Sequence, residues 1–178
     1  VEYPGYGQTE GEPTEEGCIL AADAGYDYLT ESLGIPAGQL LVYGRSLGGG
    51  PAVDLASRRR VGGLILDGTF TSCFRVQTQV RLLPWDVFDN LAKISEVPCP
   101  VLSYHGAADR VVPWSHGKRL YAAVTGPRMR LWPLVAGHND LIAKAGDSYW
   151  DTLDTFTARY LSPSTNATSA TSAPSSVA

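Results

Sequence analysis

Gln39-Leu40-Leu41-Val42-Tyr43-Gly44-Arg45-Ser46-Leu47-Gly48 is the stretch on which the reading of this chain turns. Its first half is a short apolar run of strand length, and its second half matches Gly-x-Ser-x-Gly. Gly49 and the residues after it read as a helix, with Pro51 in the first turns, where a missing N–H is tolerated. A serine between strand and helix sits on a tight, strained turn that points its hydroxyl out of the sheet, the arrangement called a nucleophile elbow. Glycines two positions to either side remove Cβ atoms that would clash with neighbouring backbone. The new helix offers its free N–H groups and positive dipole end beneath the serine. A turn that merely packs strand on helix is the plainer alternative, and the placement of the motif between the two elements weighs against it.

Working outward, residues 63–66, 100–104 and 130–134 are three more apolar runs of strand length. Pro133 weakens the last and suggests a strand end or an edge. Between these runs the period changes to that of a helix. Ile19, Ala22, Tyr26, Leu29 and Leu33 recur at three and four, after Thr14 as N-cap and with Glu15 and Glu16 in the first turn; Gly34 then stops the helix. Tyr149, Leu153, Phe156 and Tyr160 repeat the pattern, and Pro163 closes it. Alternation of near-continuous apolar strands with helices predicts an α/β fold, a mainly parallel sheet flanked by helices. Residues 1–161 form one domain on this reading. Residues 162–178 are nearly all Ser, Thr, Ala or Pro and are predicted to be a disordered tail, with a sequon at Asn166-Ala167-Thr168 that matters only in a secretory compartment.

Composition narrows the function. The 178 residues carry 14 Lys+Arg against 18 Asp+Glu, a net charge of -4, without a basic run of the kind that marks a nucleic-acid or anionic-membrane surface. Hydrophobic residues make up 44%, enough for a real core, but no apolar run approaches the ~18 residues of a membrane span, and no amino-terminal signal peptide is visible. Cys18, Cys73 and Cys99 are odd in number and unclustered, which argues against a disulfide framework or a zinc site and for a reduced, intracellular setting. Val rather than Met at position 1 suggests a processed product or a fragment.

A serine hydroxyl needs a base to accept its proton. Of three histidines, His116 falls in the first turn of a helix and reads as surface, and His105 ends a strand and reads as structural. His138, in Ala136-Gly137-His138-Asn139-Asp140 just past the last strand, lies at the carboxyl edge where sites gather in a parallel sheet, and is the chosen base. The acid that holds its tautomer is Asp109, which follows the strand at 100–104, with Asp67 at the end of the run at 63–66 as rival. Ordinary loop capping is the commoner role of any one Asp. The chain order Ser46, Asp109, His138 is nevertheless the order that accompanies a nucleophile elbow.

Several stretches resemble the α/β-hydrolases, and within them the branch of the α/β-hydrolase-domain 17 type protein depalmitoylases and related polarity proteins. They are Tyr3-Pro4-Gly5-Tyr6-Gly7, Gly44-Arg45-Ser46-Leu47-Gly48-Gly49, Val53-Asp54-Leu55-Ala56-Ser57-Arg58, Phe88-Asp89-Asn90-Leu91, Cys99-Pro100-Val101-Leu102, Asp109-Arg110-Val111-Val112-Pro113, His116-Gly117 and Gly137-His138-Asn139-Asp140. The resemblance implies Ser46 as nucleophile, His138 as base, Asp109 as acid and the Leu47 N–H as an oxyanion donor. It implies neither cofactor nor metal, and hydrolysis of acyl esters or thioesters, lipidated proteins among them, in the cytoplasm or on the cytosolic face of membranes. An apolar cluster at Leu82, Leu83, Pro84, Trp85, Val87 and Phe88 would line an acyl pocket, or pack a crossover helix on the sheet, the commoner use of such residues.

By the same resemblance Val1-Glu2-Tyr3 matches the end of the fourth strand. Three strands, a helix and the loop with the second oxyanion donor are then expected upstream of this sequence, with any peripheral membrane association. With one donor, transition-state stabilisation should drop by roughly 3–4 kcal/mol, a rate loss of roughly a hundred- to a thousandfold. Residues 1–3 should not pair as a strand, and the strand at 40–43 should show an open edge. The alternative to a serine hydrolase is accordingly a catalytically impaired fragment or a non-catalytic interaction protein of hydrolase ancestry.

Overall fold

The computed structural model describes residues 1–73 and 87–161. In chain order the elements are α1 (Glu15–Asp27), β1 (Leu41–Arg45), α2 (Gly49–Arg58), β2 (Gly63–Asp67), the one-turn α3 (Asn90–Lys93), β3 (Val101–Tyr104), α4 (Trp114–Ala123), β4 (Arg128–Leu131), the short α5 (Leu141–Ala145) and α6 (Asp147–Tyr160). The strands form a parallel sheet in the order β1-β2-β3-β4. β2 and β3 are buried at every position, as their continuous apolar runs require of central parallel strands. Side chains alternate between faces. Leu64 and Leu66 pack with Val53, Ile94, Val101 and Leu120 on one side, while Ile65 and Leu102 pack with Tyr149 and Phe156 on the other. Each such fully buried side chain contributes roughly 1.5–3 kcal/mol.

The predicted boundaries shift where local chemistry intervenes. Residues 37–39 form a tight 3-10 turn, so β1 starts at Leu41 and runs through Gly44 and Arg45 to the serine itself. Register with β2, from Leu41↔Gly63 to Arg45↔Asp67, carries the strand over a glycine that propensity would have stopped at. β4 runs over Arg128–Leu131, earlier than the apolar run at 130–134, because Pro133 cannot continue the ladder. Thr14 caps α1 as expected, its hydroxyl accepting the Gly17 N–H at 3.0 Å. The α-helix ends at Asp27 rather than Leu33, giving way to a wider π-turn over Tyr28–Ser32 before Gly34 leaves it at φ 66°. Within that turn the Thr30 hydroxyl donates to the Tyr26 carbonyl at 2.9 Å, a bond that competes with the regular ladder.

β1 is an edge strand. Residues 1–3 are in no strand, and along the free side of β1 runs a cavity of about 480 Å³, lined by Tyr3, Tyr26, Leu29, Val42, Gly48 and Leu55 among others. Tyr43 is 48% exposed there. The open edge is thus as the sequence predicts. Leu82, Leu83, Pro84 and Trp85 and the predicted tail at 162–178 lie outside the described residues. Phe88 is described, and it packs in a third cluster with Cys18, Phe70 and Val112.

One buried carboxylate ties the elbow helix to its surroundings. Asp54 of α2 accepts from Lys93 Nζ at 2.7 Å and from Arg58 Nη2 at 2.6 Å. Burial pushes its pKa up, but the hydrogen bonds from Lys93 and Arg58 outweigh that and hold it below the ordinary carboxylate value. A lowered folded-state pKa stabilises above the unfolded-state value, and the stabilisation fades as pH falls through the folded one. Asp54→Asn should lower stability by roughly 1–3 kcal/mol near neutrality. In urea melts at neutral and acid pH, the gap between the variant and the wild-type chain should narrow on acidification.

Candidate active site

The site forms on the last rung of the sheet. Arg45, Asp67, Tyr104 and Leu131 stand in register at the carboxyl ends of β1 to β4, so the loops that follow emerge along one edge. Ser46 is the first residue past β1 and has φ 50°, a left-handed conformation that is uncommon outside glycine. A 3-10 turn over Ser46–Gly48 then leads into α2. Leu47 lies in that first turn, where N–H groups have no acceptor within the helix.

Glycine makes the elbow possible, though not at both predicted positions. A Cβ on Gly44 would stand 2.6 Å from the Ala52 Cβ and 2.7 Å from the Gly48 carbonyl oxygen. On Gly48 it would meet only the Tyr3 hydroxyl at 3.7 Å, an ordinary contact. The crowding lies further on, where a Cβ on Gly49 would be 2.2 Å from Thr69 and one on Gly50 2.3 Å from Phe88.

Ser46, His138 and Asp109 are brought together. His138 Nε2 is 3.0 Å from Ser46 Oγ, and its Nδ1 is 2.7 Å from Asp109 Oδ2. A carboxylate only accepts, so the proton sits on Nδ1 and leaves Nε2 free to accept from the serine hydroxyl. The Asp109 side chain is wholly buried, and its Oδ1 accepts two backbone N–H groups, from Val111 and Val112, each at 2.8 Å. The carboxylate is therefore held rigidly while it faces the imidazole.

Asp67 is not the partner of His138. Its Oδ2 accepts from the Tyr43 hydroxyl at 2.7 Å. Burial raises its pKa, against the opposing pull of Tyr43, Arg45, His105 and His138. Burial and the bond to Asp67 likewise push Tyr43 well above its usual value. His105 is buried, with Nε2 donating to the Val112 carbonyl at 2.9 Å, and burial lowers its pKa. His116 departs from its surface reading. It is 1% exposed, and its Nδ1 receives the Thr71 N–H at 3.2 Å, because this part of α4 faces the sheet rather than solvent.

Two residues at the site escape sequence reasoning. Gly68, at φ 57°, lies under the imidazole: a Cβ there would come within 3.2 Å of His138 Cε1 and Nδ1. Arg45 occupies a variable place in the motif, yet its guanidinium crosses to the His138 loop. Adjacency to a strand end and to the serine were the signals for them, and both are weak. Among the described residues no group of three His, Cys, Asp or Glu is placed to hold a metal ion.

A parallel sheet with helices on both faces, a strained serine at its carboxyl edge and an imidazole over that serine define the class: the chain has the α/β-hydrolase fold, and in sequence it is similar to proteins of that superfamily. No protein-family model matches it. It is 35% identical over 179 residues to the alpha/beta hydrolase domain-containing protein aho-3 of Caenorhabditis elegans, covering 96% of this chain and 53% of that protein. It is 37% identical over 142 residues to alpha/beta hydrolase domain-containing protein 17B of Homo sapiens, covering 79% of this chain and 49% of that one. The chain thus spans about half the length of the curated relatives it matches. Among solved structures, an esterase of Pyrococcus furiosus superposes with a TM-score of 0.73 at 17% identity, over 90% of this chain and 70% of that one. A monoacylglycerol lipase of Paleococcus ferrophilus superposes with a TM-score of 0.66 at 18% identity, over 89% and 81%. At these identities the superpositions speak for the fold.

Because the atoms facing Gly44 are mostly backbone, Gly44→Ala should cost roughly 1–3 kcal/mol or more and displace the serine. Thermal unfolding should show the drop, and a Gly48→Ala variant should lose much less.

Proposed function

We propose that this chain carries the catalytic core of a serine hydrolase that cleaves acyl esters or thioesters, with Ser46 as nucleophile, His138 as base and Asp109 as the acid that orients it. The observation that carries the reading is the unbroken series Ser46 Oγ, His138 Nε2, His138 Nδ1 and Asp109 Oδ2, with links of 3.0 and 2.7 Å. As Oγ attacks the acyl carbonyl, Nε2 takes its proton, and Asp109 stabilises the resulting imidazolium. The carbonyl oxygen becomes an oxyanion within reach of the Leu47 N–H at the start of the helix. The imidazolium then protonates the departing alkoxide or thiolate as its bond to the acyl carbon breaks. Water, deprotonated by the same imidazole, releases the acid from the acyl-enzyme and returns the hydrogen to Ser46.

The esterase and lipase among the structural neighbours fit an ester substrate. A thioester, such as the acyl group of a lipidated protein, follows from the sequence resemblance to the domain 17 proteins, and with it a place in the cytoplasm or at the cytosolic face of a membrane. Cys18 and Cys99, buried and outside any disulfide, accord with a reduced setting. No helix of the described residues is long and apolar enough to cross a membrane.

A fluorophosphonate probe should label Ser46, and Ser46→Ala should abolish labelling; a variant still labelled would place the nucleophile elsewhere. His138→Gln should slow labelling by roughly a hundredfold or more, since no base is then left to accept the serine proton. Unchanged labelling of that variant would remove His138 from the role. Asp109→Asn should slow the reaction by roughly a thousandfold or more, since the imidazole then loses the partner that sets its tautomer. Asp67→Asn should cost far less, and the reverse ranking would make Asp67 the acid.

A further inference from the structure

We infer that Arg45 is a positioning residue whose guanidinium ties the His138 loop to the nucleophile strand and so sets the distance between imidazole and serine hydroxyl. The tie itself rests on geometry; its consequence for reaction rate rests on the serine-hydrolase reading above.

Arg45 Nη2 donates to the His138 carbonyl at 2.8 Å and to Asn139 Oδ1 at 2.8 Å. One nitrogen thus spends both hydrogens on successive residues of the loop, in directions fixed by the planar guanidinium. The first acceptor is the backbone of the residue whose ring is the base. Arg45 itself is bonded to Ser46, so the tie starts one residue from the nucleophile and ends on the base, 93 residues along the chain.

The other anchors of this loop reach elsewhere. Gly137 N–H donates to Asp140 Oδ1 at 2.6 Å, within the loop. Ala108 N–H donates to the Ala136 carbonyl at 2.9 Å, and the His138 ring binds Asp109 at 2.7 Å, both on the loop that carries the acid. Those bonds fix the base relative to the acid. They leave open where the pair stands relative to the serine. Gly68 limits how far the ring can sink but exerts no pull. Leu134 and Val135, on the same loop, are 76% and 71% exposed, so apolar burial holds the loop at Ala136, before the histidine, and not at His138 or Asn139 themselves.

Exposed hydrogen bonds of this kind add little to global stability. They can nevertheless decide rate, because displacing a catalytic group by about 1 Å can cost roughly a hundredfold. The signature is therefore a local loosening with an unchanged Tm.

The test uses the 178-residue chain with Arg45→Met, which removes both donors, and Arg45→Lys, which keeps a cationic donor on a shorter stem. In hydrogen–deuterium exchange, amides of residues 136–140 should exchange roughly tenfold faster in Arg45→Met, while Tm stays that of the wild type. Fluorophosphonate labelling of Ser46 should slow roughly ten- to a hundredfold, and Arg45→Lys should recover part of both. Arg59→Met, which removes a surface arginine paired with Asp27, should change neither. Unaltered exchange at 136–140 in Arg45→Met overturns the tie. Faster exchange with an unaltered labelling rate overturns the positioning role. If the wild-type chain labels no faster than Ser46→Ala, even on prolonged exposure to the probe, while Arg45→Met still loosens the loop, the tie stands and the hydrolase reading falls.

Discussion

Parallel register is the constraint from which the site follows. Because β1 to β4 all run the same way, their carboxyl ends share an edge, and Arg45, Asp67, Tyr104 and Leu131 form its last row. Ser46, Gly68 and His105 come next after the first three strands, and the loops bearing Asp109 and His138 leave from the third and fourth ends. In an antiparallel sheet the same residues would be dealt to opposite edges. The interior that holds the register is apolar packing on both faces of β2 and β3, aliphatic on one side and rich in aromatic rings on the other. Stability and reactivity are thus drawn from different layers of one sheet.

The serine pays for its exposure with backbone strain. A left-handed residue other than glycine costs about 1–3 kcal/mol, and it persists only where its surroundings leave no alternative. Here those surroundings are close contacts: Gly44 against Ala52, Gly49 against Thr69 and Gly50 against Phe88. Asp54 adds a polar link from the same helix to α3 through Lys93. The elbow is held from its helix side, which leaves the serine hydroxyl to face the imidazole.

Two carboxyl groups lie at this edge in unlike surroundings. Asp109 has both oxygens engaged, one by two backbone N–H groups and the other by the imidazole. Asp67 has one oxygen on a phenol and is otherwise dominated by burial, which lifts its pKa. Loop length decides between them. Asp109 stands five residues past the end of β3, enough for its side chain to turn back over the edge, whereas Asp67 is the last residue of its strand and remains beside Tyr43.

Ser46, Asp109 and His138 could be picked out from sequence because each choice had local punctuation: a glycine-flanked serine after an apolar run, and an Asp and a His just past two others. Thr14 as a cap and the apolar core of β2 and β3 were legible for the same reason, since neighbours in the chain generate them. His116 was misread because helical period does not say which face of a short helix meets the sheet. Gly68 and Arg45 were only weakly marked as site residues because their significance lies in what they touch. What the chain alone determined was the class of fold and the candidates for the site, through hydrophobic period and turn chemistry, which are properties of adjacent residues. What the tertiary structure decided was which carboxylate meets the imidazole, how far the imidazole stands from the serine and what tethers it, since those distances join residues tens of positions apart and are set only when four parallel strands come into register.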